Sequence, residues 1–434
     1  MMGRTFRAVL ACALAASPAL GSYPLLTTYR PETNVEADAR IDLDMEEILA
    51  ELTADDLAGA MAKYQGGTNG VQTLASLSKP GATSMASDKW WPVYKDYWNN
   101  GYDYADAFVE GAYTGSLPDA MRKELIKKGI AYQGVWMYAA HSFDVGRSQC
   151  STNDWDKGMA HYVGSMEGQT SVPADVASTG NLLYNLAQKR CADFGTCATG
   201  ADSSTLANVN DRILNEHSTL GRDLTIHGGT YCDDARLAAS FHSIVSQMTV
   251  PLVQGLLKYA WKADPVNGDS CAGQAGNDAA TVATNDATNS KDCAKSWAEG
   301  WAFSAAVLPQ IAQCDAAAAT TIRDNLDVEA AEPMKDGVAA VKTAVESVYA
   351  CLGITCADVG EFQASGIVYS GMDACADPPA PAPTPSPQTP RPTFCEFSNC
   401  ADSNSAVPMS DAAARRAGEV AGAALAGAAL AFIA

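Results

Sequence analysis

The sequence predicts an all-α protein, and three observations predict it. Apolar residues recur at helical spacing through most of the first 375 residues, alternating strand patterns are scarce, and three markers repeat in the same order in two halves of the chain. A duplicated helical-bundle module with disulfides, followed by a Pro-rich stalk, is the architecture they imply.

Four segments carry the helical period. IDLDMEEILAELTADDLAGAMAKY places Ile48, Leu49, Leu52, Leu57 and Met61 near one stripe, with acidic residues in its first turns where the helix dipole favours them. PDAMRKELIKKGIAYQGVWMYAAHSFD opens with Pro118 in its first turn. ARLAASFHSIVSQMTVPLVQGLLKYAWKAD has the same period, with Pro251 expected to kink or divide it. MKDGVAAVKTAVESVYACLG is the fourth.

The repeat is written in tryptophan. Trp-x-x-Gly-x-Ala occurs at Trp155, Gly158 and Ala160 and again at Trp297, Gly300 and Ala302. Gln133-Gly134-x-x-x-Tyr138 precedes the first copy and Gln254-Gly255-x-x-x-Tyr259 the second; Cys191 and Cys197 follow one, Cys351 and Cys356 the other. The repeat halves are therefore 22–220 and 221–376. Both tryptophans are expected as core anchors, with Gly158 and Gly300 where a neighbouring helix approaches closely. The second half carries an insertion between Cys271 and Cys293 whose Asn, Asp, Thr and Ala content reads as a surface loop closed by a disulfide. The pairs Cys191/Cys197, Cys351/Cys356 and Cys395/Cys400 are close enough to close locally, but spacing does not fix connectivity.

The ends have their own signatures. Residues 1–21 place Arg4 and Arg7 before the apolar AVLACALAA and the small residues ALG, the pattern of a secretory signal peptide. Removing it takes Cys12 from the 13 cysteines, leaving an even set suited to disulfides in an oxidising compartment. DPPAPAPTPSPQTPRPT begins a Pro-rich extended stalk over 377–405. Residues 406–434 are a C-terminal hydrophobic anchor signal, in which small residues and the spacer SDAAARR precede an apolar tail as in glycosylphosphatidylinositol attachment. The uninterrupted run Val420–Ala434 falls short of the roughly 20 residues a membrane span requires.

With 50 Asp+Glu against 29 Lys+Arg and a net charge of −21, the chain lacks the basic footprint of a nucleic-acid binder. No HExxH, GxSxG, Walker loop or GxGxxG is present, so nothing points to an enzyme. What remains are oxygen and nitrogen donors suited to a hard cation such as Fe(III). His141 and Asp144 are three apart and would share a helix face; His227, Tyr231, Asp233 and Asp234 stand together beside two glycines; His161 follows the first Trp motif where the second has Phe303. Trp90–Tyr113 adds five tyrosines, at 94, 97, 102, 104 and 113. The candidate metal ligands are His141, Asp144, His161, His227, Tyr231 and Asp234.

QGVWMYAAHSFD, the Trp motifs in WDKGMAHYVG and WAEGWAFSAAVLP, and YACLGITC together resemble the algal low-iron-inducible periplasmic protein family, iron-assimilation proteins grouped with the phytotransferrins. The resemblance spans roughly Ala50 to Cys375. It implies capture of Fe(III) outside the plasma membrane, with carbonate as synergistic anion and an iron-uptake machinery as partner. Arg147 and Arg236 are the arginines suited to hold that anion. No position-by-position ligand motif carries over, and the Glu-x-x-Glu pairs discussed for iron-uptake proteins are lacking: Glu47 and Glu51 are four apart in an amphipathic helix. A surface metallopeptidase-like hydrolase and a metal-free structural wall module are the alternatives.

The tail makes one expectation directly testable. Phospholipase specific for glycosylphosphatidylinositol should release the protein from intact membranes. Retention after complete digestion, with the C-terminal peptide intact by mass spectrometry, would show a protein spanning segment instead.

Overall fold

Helices form where the period placed them, and the breaks between them fall where backbone chemistry requires. The computed structural model describes residues 31–79, 85–99, 101–167, 180–199, 205–227, 234–289 and 291–377. The stripe from Ile48 to Met61 belongs to two helices, Ile41–Thr53 and Leu57–Gly66. Asp55 takes φ +62° between them, and the Asp56 carboxylate starts the second by accepting the Gly59 N–H at 2.7 Å. Pro118 caps Asp119–Gly129, which continues through a π-helical turn, Ile130–Val135, into Trp136–Gln149.

One expectation is narrowed and another needs correction. Pro251 does not divide its segment: Asp234–Ala263 is one helix running through it. An interior proline costs about 3 kcal/mol. Val250, Leu252 and Val253 beside it are fully buried, and each such side chain contributes roughly 1.5–3 kcal/mol. The Cys271–Cys293 insertion is not all loop, since Ala279–Asn289 is helical and Asp286 accepts the Ala294 N–H at 2.7 Å beside the start of the next helix. Among the described residues the strands are short: Cys197–Thr199 pairs antiparallel with Thr205–Ala207, and Gln363–Ala364 with Ile367–Val368.

The segments around the two Trp motifs make matching contacts. Helix Thr152–Val163 packs along Trp136–Gln149, and Cys293–Cys314 along Asp234–Ala263. Trp155 and Trp297 are both fully buried, and each indole N–H finds a backbone carbonyl on a third helix: His217 O at 3.3 Å and Leu326 O at 3.1 Å. The Tyr of the Gln-Gly-x-x-x-Tyr marker meets the ring six residues after each tryptophan. Tyr138 lies edge-on to His161 at 5.0 Å, and Tyr259 stacks on Phe303 at 5.7 Å. The halves pack together through Tyr94, whose hydroxyl donates to Ala306 O at 2.6 Å and accepts from Gln310 Nε2 at 2.8 Å.

Disulfides join Cys191 to Cys197, Cys271 to Cys293, Cys314 to Cys351 and Cys356 to Cys375; Cys150 is also disulfide-bonded. The local pairing of Cys351 with Cys356 is thus replaced by two longer links. Cys351 precedes the left-handed Gly353 turn, while Cys356 lies in the helix that Thr355 starts with a capping box. The two thiols consequently serve different neighbours. Cys395 and Cys400, the Pro-rich stalk and the apolar tail lie outside the described residues. Among the described residues no helix is long and apolar enough to cross a membrane.

The close approach at the Trp motif can be measured. A Cβ on Gly158 would sit 2.6–2.8 Å from three atoms of the buried Phe143 ring; one on Gly300 would meet Leu326 Cδ2 at 2.8 Å, the movable end of a side chain. Gly111, exposed in helix Tyr104–Thr114, has no atom within 4 Å of that position. Helix propensity favours alanine over glycine by about 1 kcal/mol, while overpacking costs about 1–3 kcal/mol. In urea unfolding, Gly111→Ala should therefore stabilise slightly, Gly300→Ala should change little, and Gly158→Ala should destabilise. Equal effects at all three sites would remove the close-approach account.

Candidate functional site

The helix period carries out the first placement. His141 and Asp144 lie on one face of Trp136–Gln149, and the segment before helix Trp91–Trp98 comes across that face. His141 Nδ1 is 2.7 Å from Asp88 Oδ2. Asp144 accepts the Lys89 N–H at 3.1 Å through Oδ2, and Arg147 Nη2 and Nε at 2.6 and 3.0 Å through Oδ1. Two carboxylates, an imidazole and a guanidinium are thereby gathered from segments more than fifty residues apart. The side chains of His141 and Arg147 keep 14% and 28% of their surface, so the cluster is open to small solutes.

Its electrostatics follow from partial burial. Burial raises the Asp88 carboxyl, helped by the charge on Asp144 and opposed by His141. Burial lowers the Lys89 ammonium against the pull of Asp144. His242 is also lowered, first by burial and then by the cations Lys89 and Arg147. Asp88, Lys89 and His242 carried no helix-face signal that linked them to His141; only the fold brings them together.

The remaining candidates divide. His161 stands behind Tyr138, whose ring is also 5.5 Å from His141, but it is 98% buried and belongs to the core. His227 ends helix Asn208–His227 and Asp234 begins Asp234–Ala263. Tyr231, and the side chains of His227 and Asp234, lie outside the described residues. Arg236 is exposed in the first turn of that helix. Farther along it, Phe241 lies under the Arg147 guanidinium at 5.5 Å, so both expected groups sit on helices that touch. The aromatic segment is mainly core: Tyr94 and Tyr104 are fully buried, and burial pushes both phenols well above their usual range. Among the described residues, no three His, Cys, Asp or Glu side chains converge as a metal-holding group.

His161 supplies a pH readout for the repeat. Burial drops its imidazole from 6.5 to about 4, opposed by a hydrogen bond to the Lys157 backbone. The unfolded chain therefore binds a proton that the folded chain refuses. The stability from the neutral ring is complete above pH 6.5 and is lost as pH falls from there towards 4, a span worth on the order of 3 kcal/mol. Replacing it by the residue of the second copy, His161→Phe, should flatten the fall in unfolding free energy across that window. An unchanged slope would place the acid sensitivity elsewhere.

No curated protein and no solved structure matches the chain. Residues 4–383, the folded body and its approaches, match the family described as low iron-inducible periplasmic protein. Coverage of that extent, on an all-α disulfide-bonded body, settles the family: the chain belongs to the low iron-inducible periplasmic proteins.

Proposed function

We propose that this protein captures Fe(III) in the periplasmic space, with carbonate as companion anion, and passes it to an uptake machinery. Membership of a low-iron-inducible family supports the metal. The observation offered for the site is the Asp88–His141 pair, with the Asp144–Arg147 pair on the same helix face, a partial donor set at an accessible face. Carboxylate oxygen and imidazole nitrogen suit a hard ferric ion. His227 and Asp234, the last and first residues of successive helices, and Tyr231 between them in sequence would complete the donor set, with Arg236 as a second anion-holding cation.

Asp144 has a particular role in this proposal. Its Oδ1 now accepts from two Arg147 nitrogens, Nε and Nη2. Iron taking that carboxylate releases the guanidinium, whose planar donors then suit carbonate beside the metal. The anion thus strengthens iron binding by satisfying the cation that iron displaces. A lipid anchor on the Pro-rich stalk would keep the loaded body at the membrane surface.

Equilibrium dialysis of the mature chain with Fe(III), with and without bicarbonate, tests this. Binding should be stoichiometric, tighter with bicarbonate, and weaker as pH falls because protons compete for the ligands. The pairs His141→Ala/Asp144→Asn and His227→Ala/Tyr231→Phe should each weaken it tenfold or more, about 1.4 kcal/mol. A visible charge-transfer band lost in the second pair identifies Tyr231 as ligand. Wild-type affinity in both pairs refutes the site; no iron binding by the parent protein refutes the function.

A further inference from the structure

A second feature lies away from the iron donors. A cavity of about 260 Å³ opens where the π-helical turn Ile130–Val135 meets helices Leu183–Phe194, Asp234–Ala263 and Cys293–Cys314. That volume is just below the ~300–1,000 Å³ of pockets for drug-sized ligands, and π turns recur at functional positions. Phe303 stands between Tyr132 and Tyr259, with ring centroids at 5.1 and 5.7 Å, and the three rings form one wall.

The charged part of the lining is mostly basic, in a chain of net charge −21. Lys127, Lys128, Lys189 and Arg190 line the cavity, and Glu299 is the acidic residue among them. Lys128 is satisfied: it is buried, 2.6 Å from Glu299 and bonded to Glu124, which also takes Lys127. Arg190 is not. It is 93% buried, yet its Nε and Nη1 make no hydrogen bond. Nη1 lies 3.1 Å from Asp193 Oδ2, outside hydrogen-bond geometry, and that oxygen accepts from Lys258 at 2.9 Å. Asn185, 97% buried on the same helix and also lining the cavity, leaves Nδ2 without a partner. Lys189 stands exposed at the mouth with no ion pair among the described residues.

A buried donor without an acceptor costs about 1–3 kcal/mol, and more when charged. Three such nitrogens belong to two residues that line one cavity, and they lack an acceptor. Counting Lys258, five cations meet Glu124, Glu299, Asp193 and the more distant Glu167, which is held by the Gly180 N–H at 3.0 Å. Positive charge remains in excess. Burial keeps the Tyr132 and Tyr259 phenols protonated at neutral pH, so they present hydroxyl donors and not anionic ligands. Cations, amide and phenol O–H together favour an anion over a metal.

We infer that this cavity binds a small polyoxyanion, of the chemistry shared by phosphate and polycarboxylates, through Arg190, Asn185 and Lys189. Binding requires no iron and is independent of the proposed capture site.

Calorimetric titration of the iron-free full chain with inorganic phosphate and with citrate, against chloride at equal ionic strength, tests the inference. One of the two should bind one-to-one, and which one identifies the class. Arg190→Gln should weaken it at least tenfold. Asn185→Asp, nearly isosteric but charged against the ligand, and Lys189→Glu, exposed and remote from the core, should do the same. If circular dichroism shows that Arg190→Gln is unfolded, Lys189→Glu decides. Failure of both anions to bind, or unchanged affinity in Lys189→Glu and Asn185→Asp, overturns the assignment whatever the iron experiments give.

Discussion

A buried indole must take its N–H into the core with it, and much of this fold can be understood as the means of satisfying two of them. Trp155 and Trp297 each reach from one helix past a second to a carbonyl on a third. The second copy has the easier solution. Leu326 ends its helix, so its carbonyl lacks an intrahelical donor and is free to accept. His217 is mid-helix, its carbonyl is already within a helical ladder, and the bond is longer at 3.3 Å. In each copy the indole fixes a three-helix unit, and the glycine three residues on allows the close contact that the indole needs.

Once two copies share a packing plan, positions that differ between them carry information. At the ring that meets the marker tyrosine, the second copy has Phe303, stacked and apolar. The first has His161, held neutral by its surroundings. The first copy's neighbourhood continues outwards in polar form through Tyr138, His141 and Asp88. The second copy's neighbourhood instead opens into the cavity walled by Tyr132, Phe303 and Tyr259. The same geometric position therefore supports an imidazole–carboxylate surface cluster in one half and an aromatic-walled basic cavity in the other. Two like packing arrangements thus carry different chemistry at their facing rings.

Helical period and the repeated markers made the class and the core anchors legible, because both depend on residues close in sequence. His141 with Asp144, and the disulfide closing Cys271–Cys293, were legible for the same reason. What was not legible depends on distant segments. Asp88 reaches His141 only because the chain before Trp91 folds across another helix, and Arg190 joins Lys127 only through packing of two separate helices. Cys351 and Cys356 look like a local pair, yet a turn and a cap send them to Cys314 and Cys375. The tyrosines of Trp90–Tyr113 offer ferric ligand chemistry in composition, but burial of Tyr94 and Tyr104 turns those two into packing residues. Residue type names the chemistry available; only solvent access decides whether it can be used.

Net charge gives less guidance than local arrangement. At physiological ionic strength screening acts over about 8 Å, so a surplus of surface carboxylates does not reach far into a structured cavity. An acidic protein can consequently keep a basic interior pocket, provided its cations are held apart from the acids that would neutralise them. The helices do this unevenly. Glu124 and Glu299 are committed to Lys128, while Arg190 has as its nearest carboxylate one that is shared with Lys258. The same reasoning applies to iron. A charge of −21 attracts cations without selecting among them; the proposed selection would rest on a carboxylate and an imidazole at fixed separation, such as Asp88 and His141. Capture of a cation and retention of an anion are therefore compatible in one body, because each depends on a few buried or half-buried groups and not on the overall charge.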